Sequence, residues 1–162
     1  MLLLLTVYGL RGMEAARLRL DDIDWRNKKL HIRGRKSGNS TTYPLSASVE
    51  DAIIDYLRNG RPASSHREVF LSVIAPFPPL LNGAALASHI VKYLKQVGIE
   101  MERPGTHLFR YSCAQRLFEE GMSLKVIGDY LGHADLHSTQ RYTKIALGQL
   151  REVALGDGED VL

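Results

Sequence analysis

A single β-hairpin signal, set in a chain whose other apolar residues recur at helical spacing, constrains the fold most. In KLHIR, which ends at Arg33, Leu30 and Ile32 alternate with polar residues, and TTYPL over 41–45 is β-branched and aromatic. Between them Gly34, Gly38 and Asn39 supply turn formers. The rest reads as helix or connection. An apolar helix over 1–9 is stopped by Gly9, and helix formers fill 13–20 before DDIDW, a polar turn around Ile23. A serine-capped helix follows over 46–59, carrying Val49, Ile53, Ile54 and Leu57. Residues 60–83 are proline-rich and mostly loop, with VFLSV over 69–73 as a short strand. Leu86, Ile90, Val91 and Leu94 mark a helix over 84–97, and a loop spans 98–106. Helices are then expected over 107–120, 123–131, 138–143 and 147–155, broken at Gly121 and Gly132. The pattern predicts an α+β, mainly α-helical fold with one small early sheet.

The opening MLLLLTVYGL has no cationic leader and falls far short of the roughly 20 apolar residues of a membrane span. It predicts a buried helix, and a chain that opens inside a core helix is expected to have lost something upstream. The lone cysteine, Cys113, excludes an intramolecular disulfide and suits a reducing compartment. Hydrophobic residues at 44% and charged residues at 24% exclude wholesale disorder. The net charge is +3, but residues 152–162 hold four acids and no Lys or Arg, so the body has 21 basic against 14 acidic residues, or +7. Such a body suits a polyanionic partner.

Four features could carry chemistry. From Arg26 to Lys36 there are six cations and no acid, flanking a turn whose tip could enter a DNA groove. The bland alternative is a solvated surface. His107 and Arg110, spaced i,i+3, share a helix face behind Thr106, a candidate cap, where free amides favour a phosphate. The alternative is an ordinary surface pair. Leu131-Gly132-His133 precedes Tyr142 by nine residues counted from the histidine. His133, Asp135 and His137 make only a weak metal pattern, without cysteine, a second carboxylate cluster or an HExxH motif, and no metal or other cofactor is expected. Residues 123–143 also read as a helix-turn-helix in which Val126, Ile127 and Leu131 pack and Gly132 turns. Arg11, between two glycines in YGLRG after an apolar helix, is either exposed or held by an anion or an acid; Glu14 is the local candidate.

Taken in order, these features resemble one family. Arginine in TVYGLRGMEAARL, lysine in a β-turn, H-x-x-R opening a helix, LGH, and tyrosine nine residues later are similar to the catalytic domain of tyrosine recombinases, the phage-integrase family. DDIDW and LGHADLHSTQRYTKI are similar to its signatures, and the likeness covers about residues 2–150. Phe109 and Tyr111 depart from the usual Leu and His of the H-x-L-R-H signature. The resemblance implies the recombinase catalytic (DNA breaking-rejoining) fold over 1–155, an acidic tail over 156–162, and an upstream core-binding domain that this chain lacks. It implies Arg11, Lys36, His107, Arg110, His133 and Tyr142 as the catalytic set, with Tyr142 the nucleophile, and Arg33, Arg35, Lys36 and Arg141 as DNA contacts. The expected partners are double-stranded DNA and, for a full-length protein, a homo-tetramer on DNA, with no membrane, in the cytoplasm with the nucleoid. Residues 145–155 would dock on a neighbouring subunit or on the chain's own core. Other readings are a type IB topoisomerase-like enzyme, a non-catalytic helix-turn-helix regulator and an inactive recombinase fragment. Trapping a covalent DNA adduct that depends on Tyr142 would separate them.

Overall fold

The run of leucines after Met1 forms the first helix, α1, over Leu2–Tyr8, with Leu4, Leu5 and Tyr8 buried. The computed structural model describes residues 1–35, 38, 40–80, 83–99 and 105–132. Gly9 ends α1 in a left-handed conformation (φ 60°), and a Cβ there would lie 2.6 Å from Leu131 Cδ2. Both the backbone and the close approach therefore demand glycine. A short helix α2, Gly12–Ala16, follows; its Glu14 carboxylate accepts the Arg11 backbone N–H at 2.9 Å, a capping-box arrangement.

The hairpin forms where the alternation places it. Strands β1 (Ile23–Asp24), β2 (Lys29–Ile32) and β3 (Thr41–Pro44) make an antiparallel sheet in that order. Leu30 pairs with Tyr43, and Leu30, Ile32 and Tyr43 are all buried. DDIDW, expected as a polar turn, also contributes the third strand. A single tight turn over Leu20–Asp22 delivers buried Ile23 opposite Leu30.

Helix α3, Ala47–Asp55, starts at Ser46 and runs on into one wider turn at Tyr56–Gly60. Tyr8 joins α1 to this junction: its hydroxyl donates to Pro44 O at 2.8 Å and accepts the Ser46 N–H at 2.9 Å. In place of the short strand expected over 69–73, there are isolated pairings of Arg19 with Glu68 and Leu71 with Pro79. Val69, Phe70 and Leu71 are buried, but Val73 is 82% exposed, so apolar character there does not extend into a ladder.

Helix α4, Gly83–Gln96, packs on α2; α5, Thr106–Glu119, packs on α1; and α6, Leu124–Leu131, packs on α5. The larger core gathers α1, α2, the sheet, α3 and α4 around residues such as Leu5, Leu30, Val49 and Ile90. A smaller cluster joins α5 to α6 through Cys113, Ala114, Leu117, Ile127 and Leu131. Each fully buried Leu or Ile contributes roughly 1.5–3 kcal/mol. Val126, expected to pack, is 50% exposed. Ile127 and Leu131, four residues apart, share the buried face, and Val126 is turned about 100° away from Ile127. The Val126 amide instead bonds the Ser123 hydroxyl that caps α6. No described helix is long and apolar enough to cross a membrane. The helices expected over 138–143 and 147–155, the docking segment 145–155 and the tail over 156–162 lie outside the described residues.

Candidate active site at the end of helix α6

A helix leaves its last carbonyls without intrahelical partners and carries partial negative charge at that end. At the end of α6, arginines from three distant segments meet these carbonyls. Arg35 Nη1 donates to Tyr130 O at 3.2 Å, Arg110 Nη2 donates to Leu131 O, and both Arg11 terminal nitrogens lie 3.4 Å from Gly132 O. Gly132 caps α6 in the left-handed region (φ 66°), and a Cβ there would collide with the Arg35 guanidinium.

Two further groups fix the guanidiniums. Glu14, with a side chain 7% exposed, accepts from Arg11 Nη1 at 2.8 Å and lies 3.5 Å from Arg35 Nε. The ion pair with Glu14 expected for Arg11 is therefore present. It also aims Arg11 at the α6 terminus, so pairing and membership of a cationic cluster coincide. The second group is the end of α1: Arg110, 3% exposed, donates Nη1 to Gly9 O at 2.7 Å.

Tyrosines line one side. Tyr8 and Tyr43 rings lie 5.1 Å apart, and Tyr43 meets Tyr130 edge-on at 4.9 Å. The Tyr43 hydroxyl accepts from Arg35 Nη2 at 2.7 Å and donates to Tyr130 O. Burial pushes the Tyr43 and Tyr130 phenols above the ordinary tyrosine value, which keeps Tyr43 a donor at neutral pH.

His107 sits exposed in the first turn of α5, three residues before Arg110. Thr106, expected to cap that helix, is its first residue; Gly105 holds the cap position, and no side chain caps it. Thr106 instead packs against Gly12, where a Cβ would come within 3.1 Å of Thr106 Cγ2. The structure thus brings Arg11 and Arg110 together and puts His107 on the helix that carries Arg110. Lys36, His133, Arg141 and Tyr142 lie outside the described residues, as does the turn of the helix-turn-helix reading beyond Gly132. The described chain nonetheless reaches the cluster at their immediate neighbours, Arg35 and Gly132.

Arg35 itself requires a correction. Expected to contact DNA, its side chain is 0% exposed and its donors go to Thr41, Tyr43 and Tyr130. Its terminal nitrogens are spent on protein acceptors inside the fold rather than presented at the surface. Arg33 is the opposite case. It is 66% exposed, with Nε 2.6 Å from Asp22 Oδ1. It lines a cleft of about 270 Å³ with Arg11, Met13, Glu14, Arg17 and Gly34. Arg17 was not singled out by sequence pattern, and its position between Ala16 and Leu18 gave no signal. A larger concavity, about 800 Å³, lies beside Asp21, Asp24, Trp25 and Arg26. It contains none of Arg11, His107 or Arg110, and in it Asp21 and Asp24 offset the charge of Arg26 and Arg33.

This cationic cluster sits inside a recognised sequence pattern, for the model of the phage integrase family matches residues 1–147. The chain belongs to the phage integrase family. Among relatives of this family member, y4gC of Sinorhizobium fredii strain NGR234 is 39% identical over 153 residues, covering 94% of this chain and 78% of y4gC. The tyrosine recombinase XerA of Pyrococcus horikoshii is 32% identical, covering 93% of this chain and 51% of XerA. The chain covers only 37% of a further relative, y4rA of Sinorhizobium fredii. Among solved structures, a XerA recombinase crystal structure aligns with a TM-score of 0.77 at 21% identity, over 98% of this chain and 57% of that one. The XerH site-specific recombinase bound to palindromic difH substrate, a post-cleavage complex, aligns with a TM-score of 0.76 at 23% identity, over 94% of this chain and 43% of that one. These likenesses show the tyrosine-recombinase catalytic fold that the family resemblance implied, mainly helical with a small antiparallel sheet.

Proposed function

We propose that this family member is the catalytic domain of a site-specific DNA recombinase that cuts and rejoins strands through Tyr142. The observation that carries the reading is the meeting of Arg11 and Arg110, 99 residues apart in sequence, at one helix end. Tyr142 attacks a backbone phosphodiester, forming a 3′-phosphotyrosine bond and releasing a 5′-hydroxyl. The bond energy is kept in the link, so the strand is rejoined by the reverse attack without ATP. Phosphoryl transfer gathers negative charge on the non-bridging oxygens. Arg11 and Arg110 offset that charge, and both stay cationic at any working pH. Arg110 is held by Gly9 O and Leu131 O, and Arg11 by Glu14, so both are in place at the α6 terminus before a phosphate arrives, and Arg110 meets it by sharing a donor with one of those carbonyls. Lys36 serves as general acid for the departing 5′ oxygen, His107 assists the Tyr142 proton, and His133 adds a donor. Guanidiniums supply the charge that a metal ion supplies in other nucleases.

Arg17 and Arg33 flank the cleft beside Arg11 and would hold the adjoining DNA backbone. Support for a DNA partner comes from the +7 body and from the XerH neighbour, solved on its difH substrate. Strand exchange by a tetramer of a longer protein, a nucleoid location, service to a mobile element, and a catalytic unit over 1–155 with an acidic tail belong to the same proposal. The test incubates the chain with a pool of duplexes of randomised sequence and recovers covalently bound DNA. A protein–DNA band that disappears with Tyr142→Phe supports the reading; its absence from the parent chain overturns it.

A further inference from the structure

Arg35 is a fully enclosed cation next to the residue proposed as general acid, and none of its donors faces solvent. Its side chain touches three elements of the fold. It hydrogen-bonds Thr41 Oγ1 at 3.0 Å and the Tyr43 hydroxyl on β3 and Tyr130 O at the end of α6, and its Nε, which makes no hydrogen bond among the described residues, lies 3.5 Å from the Glu14 carboxylate on α2. The Arg35 carbonyl accepts the Gly38 N–H at 2.8 Å, so the backbone on both sides of 36–37 is tied to the same residue. The guanidinium also lies 5.4 Å from the centre of the Tyr43 ring. Burying an arginine costs desolvation, and a well-packed apolar side chain often replaces a buried ion pair without loss of stability. Scaffolding alone therefore does not call for a guanidinium here. What a forked, planar donor supplies is fixed geometry among several acceptors at once.

We propose that Arg35 is a positioning residue, which locks the root of the Lys36 turn to the α6 terminus and to the Glu14–Arg11 pair. One buried group then holds Arg35 and Gly38, on either side of 36–37, in a common frame with the Arg11 guanidinium and Gly132. Gly132 belongs to the same device, since any side chain there would displace the Arg35 guanidinium. The role rests on the reading of Lys36 as the acid that protonates the leaving 5′ oxygen.

That dependence suggests the experiment. Two duplexes are made from the sequence recovered as a Tyr142 adduct. One carries the natural phosphodiester and the other a sulfur in place of the bridging 5′ oxygen at the cut. A thiol ionises near 8.5, far below an alcohol, so the sulfur leaves without a general acid. Arg35→Met, Arg35→Lys and Lys36→Ala are compared with the parent chain for cleavage rate on both, and for melting temperature. If Arg35 positions Lys36, the Arg35 variants lose about 10-fold or more on the oxygen duplex, within the range a general acid contributes, and approach the parent rate on sulfur. Equal loss on both duplexes overturns the positioning role and leaves Arg35 a structural cation. Should Arg35→Met fail to fold, Arg35→Lys, which keeps the charge but not the fork, decides by the same pair of rates; parental rates on both duplexes also overturn the proposal. A Lys36→Ala chain that sulfur does not rescue, or a parent chain that forms no adduct, would defeat the proposed function itself, and that result is distinguishable from failure at Arg35.

Discussion

The end of α6 and the turns and loops around the sheet carry similar residues and treat them in opposite ways. In the turn before β1, Asp21 pairs with Arg67 while both side chains stay about half exposed, at 49% and 52%. Lys28 reaches Glu50 from a similarly open position. At the α6 terminus, Arg35 and Arg110 are nearly sealed from water and bond backbone carbonyls, a phenol and a carboxylate. Water can replace an exposed partner at little cost, so surface pairs tolerate change. A buried cation has only the acceptors the fold provides, and removing it strands them. Charge density thus says little about function until burial separates the two cases.

The sharpest attack on this contrast is Arg110→Ala. It leaves Gly9 O and Leu131 O without their donor and empties a buried site, which should cost about 3–5 kcal/mol in a urea melt. A loss under about 1 kcal/mol would place Arg110 with the surface pairs. Gly34→Ala probes the boundary between the regions. Gly34 adopts φ 61° with open space where a Cβ would lie, so the cost should be conformational alone, about 1–2 kcal/mol. An unchanged melt would show that the backbone there relaxes freely. The smallest effect should be Asp21→Asn, with a melting midpoint at pH 7 indistinguishable from the parent. The Arg67 hydrogen bond lowers the Asp21 pKa below its ordinary 3.8. Any stability it adds is therefore complete above that value and fades as pH falls through the lower folded-state pKa. A midpoint difference that instead grew in acid would contradict the assignment.

Gly34 also explains where the sequence misled. Period-2 alternation put Leu30 and Ile32 inward, and the sheet follows it. The family resemblance set Arg33 and Arg35 side by side as DNA contacts. The left-handed glycine between them breaks the alternation and turns Arg35 inward, while Arg33 stays 66% exposed. Helices were legible because each carries its own apolar spacing, as Val49 with Ile53 and Leu86 with Ile90 show. Strand β1 was not, because two residues have no period and Ile23 is held by pairing with Leu30. At the site, Arg11 and Arg110 stood out through ordered motifs. Glu14 is visible as a neighbour three residues on, but its contact with Arg35 is not, and nothing in the sequence marks Tyr43 or Tyr130 as a partner of the arginines. Their roles depend on which carbonyls meet in space, and no local pattern encodes that.

Arg110 spans from Gly9 O, at the edge of the larger core, to Leu131 O in the smaller cluster, and Arg116 on the same helix donates to Val7 O at 3.1 Å. Among the described residues the smaller cluster holds five buried side chains, a core of the size that depends on its neighbours. Its folding is therefore borrowed from α1 through these two guanidiniums. In hydrogen exchange, the amides of α5 and α6 should open together and in step with the C-terminal turn of α1, as one cooperative unit. The side chain proposed to meet the scissile phosphate is then also the joint that makes two bodies unfold as one, so loosening α1 near Gly9 should be felt first at the proposed point of chemistry.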